Sequence, residues 1–181
     1  MKKLGSAALA CYLIHAGFHV INGRPAEALW MCHLGAALVG VGLLFSWPTL
    51  SGIGTLFLCI GTPLWVMYLA EGGEFYPTSV FPHVVGLAIG LYAVRRIGLP
   101  SGTWWKAVLA LIALIGICRL VTPPDANVNV AFAIYPGVEK YFPSHPIYLA
   151  GMMVLSAGYF FLGEYAMRRW LMVETATEGI P

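Results

Sequence analysis

The chain has 181 residues, 59% of them hydrophobic and only 10% charged, and a formal net charge of +2. A soluble domain carries about 25% charged residues, so this composition, with a mean hydropathy of +0.78, places the chain in a membrane. No Lys/Arg run accompanies the small positive balance, which excludes a nucleic-acid partner and leaves membrane lipids as the expected surroundings.

Six apolar segments follow in chain order, at residues 4–22, 27–46, 50–70, 79–97, 103–121 and 146–168. At about 1.5 Å of rise per residue, each is long enough as a helix for a hydrocarbon core of about 30 Å. The first follows Met1-Lys2-Lys3 and runs unbroken to Ile21, too long for a signal peptide, so it reads as a retained helix. Breakers separate the segments: Gly23 and Pro25, Trp47-Pro48, Gly72-Gly73 and Pro77, Pro100 with Gly102, Pro123-Pro124, and Pro143 with Pro146. Small residues such as Gly35-Ala36-Ala37, Gly40, Gly42, Gly86 and Gly90 predict close helix approach.

The expected fold is therefore all-α: a single polytopic domain over residues 1–170, built as a six-transmembrane-helix bundle, with a short polar tail at 171–181 expected to be disordered. An N-terminus on the inside puts Lys2, Lys3, Arg95, Arg96, Lys106, Arg168 and Arg169 on that side, against Arg24, Arg119 and Lys140 outside. That asymmetry predicts both termini in the cytoplasm, and the expected location is a bacterial cytoplasmic membrane. On the inner side, Glu164 is expected to pair with Arg168 one turn later. The connection from Thr122 to His145 is too apolar for a free loop and is expected to lie at the interface or dip into the bundle. Self-association of the bundle stays open.

Polar groups concentrate toward the outer ends of these segments. Cys32 and His33 head the second, His83 heads the fourth, and His19 and Arg119 close the first and fifth. Glu71, Glu74, Asn127, Asn129 and His145 belong to the outer connections. The expected common layer lies within roughly 10 Å of the outer interface. Intramembrane polar side chains are costly, so this layer is the candidate site. Of the four cysteines (Cys11, Cys32, Cys59 and Cys118) none stands in a C-x-x-C pair; inert packing is the default for each, and Cys32 is the first candidate for chemistry. Neighbours on a helix point about 100° apart, so His33 is not its expected base; His83 is. Asn127 or Asn129 are candidates to orient the imidazole or bind an oxyanion. His33, Arg119, Glu71 and Glu74 complete the expected substrate-binding or orienting set.

Trp30-Met31-Cys32-His33-Leu34, Phe81-Pro82-His83, Asn127-Val128-Asn129-Val130-Ala131-Phe132 and Pro143-Ser144-His145-Pro146-Ile147-Tyr148 resemble segments of the YwaF-like integral membrane proteins, over roughly residues 28–165. The eukaryotic branch of that family includes an acyltransferase that moves fatty acyl chains between phospholipids through a Cys/His pair. The resemblance implies a thiol-dependent acyltransferase or lipid hydrolase, with Cys32 as nucleophile, His83 as base and no cofactor. Two other readings compete. His15 and His19, at i and i+4, share a helix face and with His33 and His83 form a candidate transition-metal or haem site, although His15 is expected a turn deeper than the rest. A small transporter or ligand-binding protein with an outward polar pocket is the third.

Overall fold

The computed structural model describes residues 1–172, so the polar tail lies almost wholly outside the described residues. Within them the chain is all-helical, with no strand. The helices are α1 (Lys2–Ile21), α2 (Met31–Leu44), α3 (Pro48–Ala70), α4 (Leu87–Ile97), α5 (Thr103–Val121) and α6 (His145–Trp170). A π-helical turn, Phe81–Gly86, runs directly into α4.

Five helical stretches are long and apolar enough to cross a membrane: α1, α3, Pro77–Ile97, α5 and α6. The second apolar segment differs from its expected span of residues 27–46. Its first residues form a 3-10 turn, Pro25–Leu29, with Pro25 at its first position, and α2 starts only at Met31. Its 14 residues cover about 21 Å, short of a full crossing.

The helices alternate in direction. Gly5 lies against Gly40 and Leu43, Gly42 against Ser51, and Gly52 against Leu99 and Thr103. Both termini of the described chain therefore share one end of the bundle, called here the terminal end. The opposite end carries the histidines.

Close approach is built from glycine where α2 threads between α1 and α3. A Cβ on Gly40 would stand 2.7 Å from Leu9 N, and one on Gly61 would overlap Cys32 Cβ. In lipid, where apolar contact with a neighbour helix gains little over contact with acyl chains, such backbone approach is the main source of packing attraction. A first buried cluster joins Ala8, Val39, Leu43, Leu58, Ile89 and Ala93 from α1 to α4. A larger one joins α3, α5 and α6 around Leu56, Phe57, Leu114 and Phe160.

The 122–145 connection takes the second of its two expected placements, dipping into the bundle: Val128, Asn129 and Ala131 are buried. Asn127, Asn129 and Val130 hold positive φ values of 40°, 55° and 52°. Asn tolerates that region, whereas a β-branched Val there is strained. Glu164 does not take Arg168 as its partner. It accepts from Gly102 N and Trp104 N, at 2.9 and 2.7 Å, while Arg168 donates to Leu99 O. Unpaired N–H groups at the start of α5 draw the carboxylate across the helix gap.

Candidate metal centre

Four of the five histidines in the chain converge at the end of the bundle away from the termini. His15 and His19 stand one turn apart on α1 and project together because i and i+4 share a face. His33 comes from the first turn of α2, and His83 from the π-helical turn. His15, His19 and His83 are 2% exposed or less, and His33 7%.

Three irregularities hold these side chains at one level. The 3-10 turn before α2 brings its start down into the bundle, where Cys32 meets Gly61 of α3. Pro63 interrupts the hydrogen-bond ladder of α3 two residues on. The π-turn carries His83, and its carbonyl accepts a hydrogen bond from Thr62 Oγ1 at 3.0 Å, which satisfies a group that the widened turn releases. Trp65 stacks on the His83 ring at a centroid distance of 4.7 Å.

The hydrogen bonds assign tautomers. His33 Nδ1 donates to Glu27 O at 2.8 Å, so its Nε2 presents a lone pair. His19 Nδ1 stands 3.1 Å from Glu27 Oε2, a close ion-pair distance approached too obliquely for a full hydrogen bond. A carboxylate at that distance holds the proton on Nδ1, and His19 Nε2 is again a lone pair. Both point at His15 Nε2, at 3.1 Å from His33 and 3.2 Å from His19. His15 Nδ1 is 2.9 Å from Thr78 Oγ1.

One N–H on His15 Nε2 can serve one of these acceptors well, not both. Three imidazole nitrogens directed at one another inside a bundle are short of positive charge at their centre. A bound cation would supply it. Ligand bonds of about 2.0–2.1 Å put neighbouring nitrogens about 2.9 Å apart in octahedral and about 3.3 Å apart in tetrahedral coordination. The His15–His33 and His15–His19 separations fall between those values, and the His19 and His33 ligand atoms lie within 4.8 Å of each other. The backing of Glu27 and Thr78 on the outer ring nitrogens is the arrangement that orients metal-bound histidines.

His83 stands beside this triad. Its Nδ1 donates to Ser79 O at 2.8 Å, and its Nε2, buried and lone-paired, has no hydrogen-bond partner. Cys32 Sγ, a His33 nitrogen and a His83 nitrogen lie within 4.8 Å of one another, as do the ligand atoms of His15, His19 and His33. Adjacency in sequence thus does not keep Cys32 and His33 from one cluster. Nor does depth keep His15 apart from the others: the early turn before α2 lowers His33 to its level.

The remaining expected site residues stand elsewhere. Asn129 Oδ1 accepts from Met31 N at 2.8 Å, and its Nδ2 donates to Leu29 O and Cys118 Sγ, so it caps α2 rather than orienting an imidazole. Asn127 Oδ1 accepts from Phe132 N and Ala133 N within its own loop. Arg119 donates to Ala131 O, and His145 reaches Val130 O. Glu71 is exposed at the end of α3. Glu74 is exposed with Arg24 and Tyr76, in an outer strap whose Arg24 also faces Glu27 at 3.4 Å.

Glu27 and Thr78 were not among the expected site residues. Glu27 had a signal, an acidic residue at the head of an apolar segment; Thr78, in a turn, had none. No protein-family model, curated protein or solved structure matches the chain.

Proposed function

We propose that this protein is an integral membrane metal-binding protein whose centre is one transition-metal ion held by Nε2 of His15, His19 and His33. The observation that carries the reading is the convergence of three buried imidazole nitrogens, two of them left as lone pairs by their outer partners. Imidazole donors suit zinc, copper, iron, cobalt and nickel rather than magnesium or calcium. In this reading all six helices lie in a bacterial cytoplasmic membrane, α2 as a short buried segment, with both termini in the cytoplasm.

Thiol-dependent acyl transfer, which the YwaF-like resemblance implies, is the second reading. What favours it is the proximity of Cys32 to His83. Two observations weigh against it. His83 Nε2 accepts no hydrogen bond from the thiol. Cys32 packs at Gly61, near the middle of α3 and about 13 Å from its Ala70 end.

Purification of the full chain in detergent with metal analysis tests the proposal. One bound transition-metal ion per chain is expected, removable by chelator and restored on adding zinc or cobalt. The His15→Ala/His19→Ala/His33→Ala variant should lose it. At a free metal concentration of a thousand times Kd, binding stabilises the fold by about 4 kcal/mol, so melting should fall on chelation. Wild-type protein that neither holds nor rebinds an ion would overturn the reading.

A further inference from the structure

Resting on that reading, we infer that the ion has a second station, formed by Cys32 Sγ, His33 Nε2 and His83 Nε2, and that the protein takes a thiophilic cation such as zinc or copper(I).

The two triads have different chemistry and one member in common. The first offers three neutral nitrogens; the second offers two and a sulfur. His33 Nδ1 is committed to Glu27 O, so a single atom, Nε2, faces both stations and only one ion is held at a time. The independent sign of a ligand at the second station is His83. Its side chain is 1% exposed, its Nδ1 is fixed by Ser79 O, and its Nε2 lone pair meets no donor. A buried imidazole nitrogen without a partner is costly, and a bilayer offers no water to relieve it. The π-turn that aims it there and the Thr62 and Trp65 contacts that hold it are a local departure from a regular helix, of the kind that gathers at functional positions.

Passage between the stations is a ligand exchange without electron transfer. The ion keeps its bond to His33 Nε2. Its bonds to His15 and His19 break, and bonds to Cys32 Sγ and His83 Nε2 form. The Cys32 S–H bond breaks as sulfur becomes a thiolate ligand, and the proton passes to an imidazole nitrogen that the ion has vacated. Ion and proton thus change places. Thiolate ligation selects soft and borderline cations over manganese, magnesium and calcium.

Cobalt(II) titration of the purified full chain, followed by absorption, distinguishes the stations. One cobalt per chain is expected in the wild type, with a thiolate-to-cobalt charge-transfer band. Cys32→Ser should bind one cobalt without the band. His15→Ala/His19→Ala should bind about tenfold or more weakly and show the band at greater intensity per bound ion. One cobalt bound by the wild type with no band would overturn the second station while leaving the histidine triad standing. That outcome needs no variant to fold. Two cobalt ions per chain would overturn the sharing of His33. No cobalt bound by the wild type would overturn both readings.

Discussion

At the terminal end of the bundle, the buried Glu164 carboxylate reaches from α6 to the start of α5 and accepts two backbone N–H groups. A cavity of about 180 Å³ lies beside it, lined by Ser101, Trp104, Phe161, Tyr165 and Arg168, yet the carboxylate is already spoken for and Arg168 turns to Leu99 O. At the other end four imidazoles lie together: the outer nitrogens of His15, His33 and His83 are hydrogen-bonded, His19 Nδ1 faces Glu27 Oε2, the inner nitrogens of His15, His19 and His33 meet one another, and His83 Nε2 meets no partner. Both places bury polar groups in an apolar bundle. Where backbone groups complete the set, the polar residue fastens helices. In the reading proposed above, where lone pairs face one another a ligand completes the set.

The sharpest break of this comparison is Glu164→Ala. It strands the N–H groups of Gly102 and Trp104 at a helix start, and each unmet buried donor costs about 1–3 kcal/mol. Thermal unfolding in detergent should show a loss of about 2–4 kcal/mol, while metal content stays at the wild-type level. A variant that loses its metal but not its stability would invert the roles assigned to the two ends.

Glu27→Gln acts at the other end with a smaller effect on the fold. Its carbonyl still holds His33 in place, but the neutral amide no longer fixes the proton of His19 Nδ1. Outer partners of this kind contribute about 10–100-fold in metal affinity. Competition with a chelator of known affinity should find a loss in that range, with unfolding of the metal-free protein almost unchanged. Equal affinity in both proteins would remove Glu27 from the metal centre.

The sequence shows one of these ends better than the other. Composition and breakers place the helices well, since length and apolarity are local properties; the exception is α2, which starts only after a 3-10 turn. The i, i+4 pair His15 and His19 is likewise local, and so its shared helix face was legible. Their meeting with His33 and His83 was legible only as a set of candidates, because it depends on a 3-10 turn and a π-turn that no periodicity announces. Asn127, Asn129 and Arg119 show the reverse. They are polar and near the right end, but their partners are loop carbonyls and amides, and a sequence does not say whether an amide side chain is spent on its own backbone.

The outer strap provides the smallest and most specific test. Arg24 bonds Tyr76 and stands 3.5 Å from Glu74, and Tyr76 donates to Glu74, tying the turn that carries Glu27 to the one that carries Thr78. The hydrogen bond from Tyr76 holds the Glu74 carboxyl below its ordinary range, and the same bond raises the Tyr76 phenol. A carboxyl whose folded pKa is depressed adds stability above its unfolded value and loses it as pH falls through the folded one. A phenol whose folded pKa is raised adds stability below its unfolded value and loses it as pH rises through the folded one. The strap's contribution is therefore flat across neutral pH and fades at both extremes. Tyr76→Phe should lower the melting temperature slightly at neutral pH, and the gap to wild type should close below the carboxylate range. Since these groups are exposed, salt should shrink the charged part of that gap. A gap that persists unchanged into acid would mean that Tyr76 contributes through packing against Phe18 and His19, and the strap would then bear on the metal centre by contact rather than by charge.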